Sequence, residues 1–395
     1  MRSIVIKMLA CLISISATAQ QTGFENYPVY NGKDLGLVLT SSTTSFKVWA
    51  PTADSVELRL YKTGEGGVPE KSLWMNKDQS GTWSVLLNQS LKGWFYTYKA
   101  FIKGRDMNEV PDPYAFATGV NGKRTAIIDI KEAAPINWQQ DKTPPGLHPV
   151  DAVIYELHVR DASIHETGGM KVKGKFISFT ERGTKNKEGY STGIDHIREL
   201  GVTHVHLLPF FDFLSIDETR ADKPQYNWGY EPLNYNVPEG SYSTNPYEPA
   251  TRIKELREMV MAFHANNLRV VMDVVYNHTM LTEDSWFNQL VPGYYYRQNA
   301  SGGFSNATAC GNEVASERPM VRKYILESLE FWMQQYKLDG FRFDLMGVHD
   351  ISLMQEIEKT LKAINPYVLL YGEGWAAGES PMPENQRALK KMHRN

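Results

Sequence analysis

The chain has 395 residues, with 42 Lys+Arg against 45 Asp+Glu and 42% hydrophobic residues. That apolar mass suffices for more than one core, which excludes a disordered or repeat-polymer protein. A formal charge of −3 removes the electrostatic case for a nucleic-acid partner, which needs a basic face against phosphates. Its 21 Tyr and 9 Trp point to large cores or to surfaces that stack on ring-shaped ligands.

The first 19 residues read as a signal peptide. Arg2 and Lys7 supply positive charge, residues 8–15 a short apolar run, and Ala17-Thr18-Ala19 a small-x-small cleavage site. The expectation is an exported protein, periplasmic, cell-surface or secreted, cleaved near Ala19. A lipoprotein reading through Cys11 would leave almost no apolar run ahead of the cysteine. Cleavage leaves Cys310 alone, so no intramolecular disulfide is expected. No other stretch is long and apolar enough to span a bilayer.

From about residue 46 to 130 the chain reads as short strands. Residues 45–50 and 55–61 alternate polar and apolar, and residues 83–87 and 94–102 are further strands, with Gly- and Asp-rich turns between them. Strands at this spacing without helices predict a β-sandwich, assigned to residues 20–140. Trp49, Trp83 and Trp94 are expected in its core. Residues 141–146, Asp-Lys-Thr-Pro-Pro-Gly, read as a linker.

Beyond residue 150 the period changes. Apolar runs at 152–158, 201–209, 268–275, 340–344 and 367–373 read as strands. Between them Ile253, Leu256, Val260 and Phe263, and then Val321, Ile325, Leu329 and Trp332, fall at helical spacing. Strand–helix alternation of this kind predicts a parallel sheet covered by helices, with its chemistry at the carboxyl ends of the strands. The fold class is therefore α/β: a β-sandwich followed, over 150–395, by an incomplete (β/α)8 barrel with about five of eight strands.

Three strand ends carry the chemistry. They read Asp273-Val-Val-Tyr-Asn277-His278, Gly340-Phe-Arg342-Phe-Asp344 and Tyr371-Gly-Glu373-Gly-Trp375. In this order they closely resemble the strand-end motifs of the α-amylase superfamily of glycoside hydrolases. The segment Tyr226-Asn-Trp-Gly-Tyr230-Glu-Pro looks like the signature of type I pullulanases, other members having Asp more often at position 231. The stretch from Phe46 to Ala53 is similar to the starch-binding module ahead of the barrel in debranching enzymes.

The residues themselves support acetal cleavage, which needs one protonated and one ionised carboxyl across the bond. Residues two apart on a strand share a face, so Arg342 lies beside Asp344 and favours its ionised, nucleophilic form. Tyr371 and Trp375 flank Glu373, and an apolar flank suits a general acid. The blander alternatives are a buried Asp344–Arg342 ion pair and a strand-end Glu373 that caps a helix. The resemblance implies that Asp344 is the nucleophile and Glu373 the acid/base of a retaining mechanism, with the carboxyls about 5 Å apart. It also implies that Tyr230, Asn277, His278, Arg342 and Trp375 bind sugar, while Asp273 is a structural partner of Arg342. The implied partner is an α-glucan polysaccharide or oligosaccharide, cut at α-1,6 bonds as in pullulan or branched starch. The alternatives are an isoamylase or glycogen-debranching relative, and a non-catalytic glucan-binding remnant.

Other features are open or weaker. Trp286, Tyr294, Tyr295 and Tyr296 either line outer sugar subsites or pack a loop, and Cys310 is expected to be inert. His204 and His206 lack a third ligand at metal spacing and are expected to fill the barrel. No cofactor is required. Calcium occurs in some members of the family, but no dense Asp/Asn loop of the calcium type is present. The family's third catalytic acid, an Asp at the end of a seventh strand, has no counterpart, because Asp350 is the last Asp of the chain. The expectation is a C-terminally truncated chain, poorly folded or inactive on its own.

Overall fold

In the computed structural model, residues 23–220 and 223–392 are described. The signal-peptide segment lies outside them. The amino-terminal region is a pair of antiparallel sheets. One runs in the order Gly36–Leu39, Thr44–Trp49, Thr82–Leu87, Asn76–Lys77. The other runs Lys71–Trp74, Ser55–Tyr61, Phe95–Ile102, Arg105–Asp106, with Thr125–Ala126 also pairing with Phe95–Ile102. Alternation drives this packing: Val56, Leu58 and Leu60 are wholly buried and meet Phe46, Tyr96 and Tyr98 between the sheets. Trp49 and Trp83 lie in the core as expected. Trp94 is only half-buried, with the Lys62 ammonium 3.6 Å above its ring.

The second region holds a five-stranded parallel sheet in sequential order: Ile154–Leu157, His204–Leu207, Arg269–Val274, Gly340–Phe343 and Leu369–Gly372. The expected strands are present with ends trimmed by up to three residues. The helices Pro249–Ala265 and Pro319–Tyr336 bury the anticipated stripes. A hairpin of Phe211–Phe213 with Pro232–Pro238 was not anticipated and carries the segment before Tyr230 into place. Arg269–Val274 is wholly buried, whereas the first strand is an edge, with Ile154 40% and Tyr155 37% exposed. Such an edge leaves backbone groups open to pairing.

Sandwich and sheet share one continuous core. Trp49 meets Tyr294 at 4.8 Å, and Tyr27 stacks on the same ring at 5.5 Å. Tyr294, Tyr295 and Tyr296 are 1%, 8% and 0% exposed, so of the two readings of this run the structure takes loop packing. Trp286 follows them, donating its Nε1–H to Asn234 Oδ1 at 3.0 Å. The linker is also fixed. Asp141 bonds His264, whose other ring nitrogen reaches Asp339, and Lys337 donates to the Asp141 carbonyl.

Candidate active site

Register builds the site. Asp273 pairs with Arg342 across adjacent parallel strands, and Arg342 pairs with Tyr371 on the next. Asp344 and Glu373 each stand two residues further along, hence on the same face as Arg342 and Tyr371. The Arg342 guanidinium gathers all three acids. Nη1 lies 2.9 and 3.0 Å from the two Asp273 oxygens and 3.0 Å from Asp344 Oδ1, while Nη2 lies 2.5 Å from Glu373 Oε1. Leu345, held at φ 39° in the left-handed region, turns its amide onto Glu373 Oε2 at 3.1 Å. A branched side chain in that conformation is strained, and such strain persists where packing imposes it. Gly347 is needed beside it, because a Cβ there would fall 2.5 Å from the Trp375 carbonyl oxygen.

The electrostatics differ from the sequence expectation. Asp344 has a pKa raised to about 6 by burial and by the neighbouring Asp273, against the lowering effects of Asn277 and Arg342. Arg342 does favour the ionised form of Asp344, as expected, but one guanidinium shared among three carboxylates does not fully offset their burial and repulsion. Nor is Glu373 enclosed by apolar walls. Its carboxyl sits on Arg342, and the Trp375 ring is 53% exposed.

Three of the expected sugar-binding groups face protein instead. Asn277 is wholly buried and donates its Nδ2–H to Asp344 Oδ2 at 2.9 Å and to the Asp344 carbonyl at 3.0 Å, which makes it a positioning residue. His278 is 2% exposed, with Nδ1 2.7 Å from Asn277 Oδ1 and Nε2 3.2 Å from the Tyr230 carbonyl. Burial lowers its pKa to about 4, so the ring is neutral. Arg342 spends its charge on the acids. Tyr230 stays half-buried, its hydroxyl donating to Asp273 Oδ2 at 2.8 Å. Of the expected sugar-binding groups, Trp375 presents an open ring, beside a cleft of about 790 Å³ that runs from Gly374 to Lys391.

Sequence reasoning missed two members of this network. His206 does not merely fill the barrel: Nε2 lies 3.2 Å from Asp273 Oδ2 and Nδ1 3.3 Å from Glu156 on the first strand. A charged residue within an apolar strand was the available signal, and the parallel register that pairs Glu156 with His206 was needed to use it. Cys310 carries a pKa raised by burial, in keeping with an unreactive thiol.

A second acidic group lies outside the site. Asp212, Glu218 and Glu239 converge with carboxylate oxygens within 4.8 Å of one another, all buried. Calcium is the ion that the family would bring, but the residues do not fit it. Arg252 already lies among them, Nη2 2.9 Å from Glu218 and Nη1 3.6 Å from Asp212.

Residues 34–115 match the family Carbohydrate-binding module 48 (Isoamylase N-terminal domain), and residues 175–301 match Alpha amylase, catalytic domain. The chain is 41% identical to the Pullulanase of Bacillus subtilis (strain 168), over 95% of this chain and 51% of that protein. It is 32% identical to the Pullulanase of Klebsiella aerogenes, over 87% of this chain and 38% of that protein. The crystal structure of Pullulanase from Paenibacillus barengoltzii in complex with maltohexaose and α-cyclodextrin superposes with a TM-score of 0.92. That match is at 50% identity, over 94% of this chain and 58% of that one. The chain thus spans about half the length of the curated pullulanase from Bacillus subtilis. A module of the first kind followed by a catalytic region of the second is what this chain resembles, an arrangement of the α-amylase superfamily of glycoside hydrolases. Within it, the relatives named above, to which the chain is similar, are pullulanases.

Proposed function

We propose that the chain carries the catalytic acids of a debranching hydrolase acting on α-1,6-glucosidic bonds of pullulan or branched starch. The observation that supports this reading is the convergence of Asp344 and Glu373 on one guanidinium at the carboxyl ends of adjacent strands. In the first step the ionised Asp344 attacks the anomeric carbon, and the departing glycosidic oxygen takes a proton from Glu373. In the second, Glu373 takes a proton from water, whose oxygen displaces Asp344 and restores both groups. Asn277 and Arg342 hold the nucleophile, Asp273 anchors Arg342, and Trp375 offers a ring for stacking.

Reducing-sugar release from pullulan tests the reading. Glu373→Gln is expected to lower turnover by about 10²–10⁴-fold while sparing retardation in a starch gel. Retention of turnover in that variant removes Glu373 from the mechanism. Binding by the unaltered chain without any turnover favours the glucan-binding reading instead. The charged amino terminus, apolar run and Ala17-Thr18-Ala19 site support export with cleavage near Ala19. Sequencing the mature amino terminus tests that, and an intact Met1 on the exported protein refutes it.

A further inference from the structure

The buried acidic group is surrounded like a metal site and filled like an ion pair. Asp212, Glu218, Glu239 and Arg252 are 1%, 4%, 0% and 0% exposed. Arg252 donates to Glu218, and also to two backbone carbonyls, Pro238 and Pro246, each at 3.2 Å. Its guanidinium therefore has oxygen donors on several sides, which is the environment a hard divalent cation requires. Yet the oxygens are already engaged by N–H groups. Glu218 Oε2 also accepts from the Asn121 amide at 2.8 Å. Glu239 accepts from the Ser241 amide at 2.8 Å and the Phe213 amide at 3.1 Å, and Asp212 from Asn234 Nδ2 at 2.6 Å. A divalent ion would have to displace the guanidinium and work against those N–H dipoles.

We propose that the guanidinium of Arg252 stands in the place of a divalent cation, so that this joint between the sandwich turn at Asn121 and the hairpin is held without metal. Shortening that side chain would then convert the joint into a calcium site. Charge counting agrees. Burial, with Glu218 adjacent, raises Glu239 to about 7, and burial with the same neighbour raises Asp212 well above its usual range. Both shifts mark a cluster with more negative charge than Arg252 alone offsets. Lys175, whose ammonium donates to the Ser241 carbonyl at 2.7 Å, is a further cation on that side.

Thermal unfolding and calcium dialysis of the full chain test this. The unaltered chain is expected to melt at the same temperature in excess chelator and in millimolar calcium. Binding of a stabilising calcium ion that Glu239→Gln abolishes would overturn the proposal. Arg252→Ala is expected to melt lower in chelator and to regain about 5 °C in saturating calcium. Arg252→Lys, which keeps a positive charge there, should gain nothing. A folded Arg252→Ala that is indifferent to calcium also overturns the proposal. If that variant fails to fold in either condition, the dialysis arm on the unaltered chain decides alone.

Discussion

Both ends of the parallel sheet trap a cation among carboxylates, with opposite results. At the amino end His264 lies 2.9 Å from Asp141 and 3.0 Å from Asp339, and is sealed from water. Burial opposes its charge, but the two carboxylates outweigh burial and raise its pKa to about 9. Asp339 gains further support from the Val270 amide at 2.8 Å. At the carboxyl end one guanidinium serves three carboxylates, and Asp344 rises to about 6. A histidine flanked by two acids, one of which also lies 3.5 Å from the Lys337 ammonium, makes a clamp. Adding a third acid beside an opening leaves one carboxyl poorly compensated, which stability would not select and chemistry can use.

The comparison can be broken most severely at Asp344. Asp344→Asn should lower pullulan turnover by about 10³-fold or more, yet raise the melting temperature by about 2–4 °C, because a poorly compensated buried charge is gone. A fall in both would make the acid structural. At the other end, His264→Ala should cost about 3 kcal/mol in urea unfolding, since it leaves Asp339 without its cation and Asp141 with Lys337 alone. The sign of its pH dependence is fixed. A histidine with its folded pKa raised to about 9 stabilises fully below its unfolded value, and the benefit is lost as pH rises through about 9. The gap between the unaltered chain and His264→Ala should therefore close on the alkaline side.

Turnover should fall on the acid side through a limb near pH 6, where Asp344 becomes protonated. Asn277→Ala removes a donor to that carboxylate and should move the limb upward by about half a unit. An unmoved limb would assign it to another group. The smallest effect is expected at Trp375. Trp375→Ala should change stability by less than about 0.5 kcal/mol and raise the KM for pullulan roughly threefold, because its ring is largely exposed.

Periodicity located the strands and helices to within a few residues, because burial on one or both faces writes itself into local sequence. Strand-end motifs likewise placed Asp344, Glu373, Arg342 and Asp273 together. What local sequence does not encode is register. The Glu156–His206–Asp273 chain depends on three strands being aligned, and Asn277 and His278 turn inward where Asp344 and Tyr230, distant in sequence, offer carboxylate and carbonyl partners. The Arg252 cluster draws on residues from 121 to 252, and nothing in any short window marks them as neighbours. The raised pKa of Asp344 is hidden from sequence for a related reason: the two acids that share Arg342 with it are brought there by register.

The tyrosine run at 294–296 has a practical consequence for anyone who wishes to trim this molecule. Its rings are covered by Phe24, Tyr27 and Trp49 from the amino-terminal region. Deleting that region to obtain a minimal catalytic unit would bare a sticky aromatic shelf, so a soluble miniature would need polar replacements there before any question of activity could be asked.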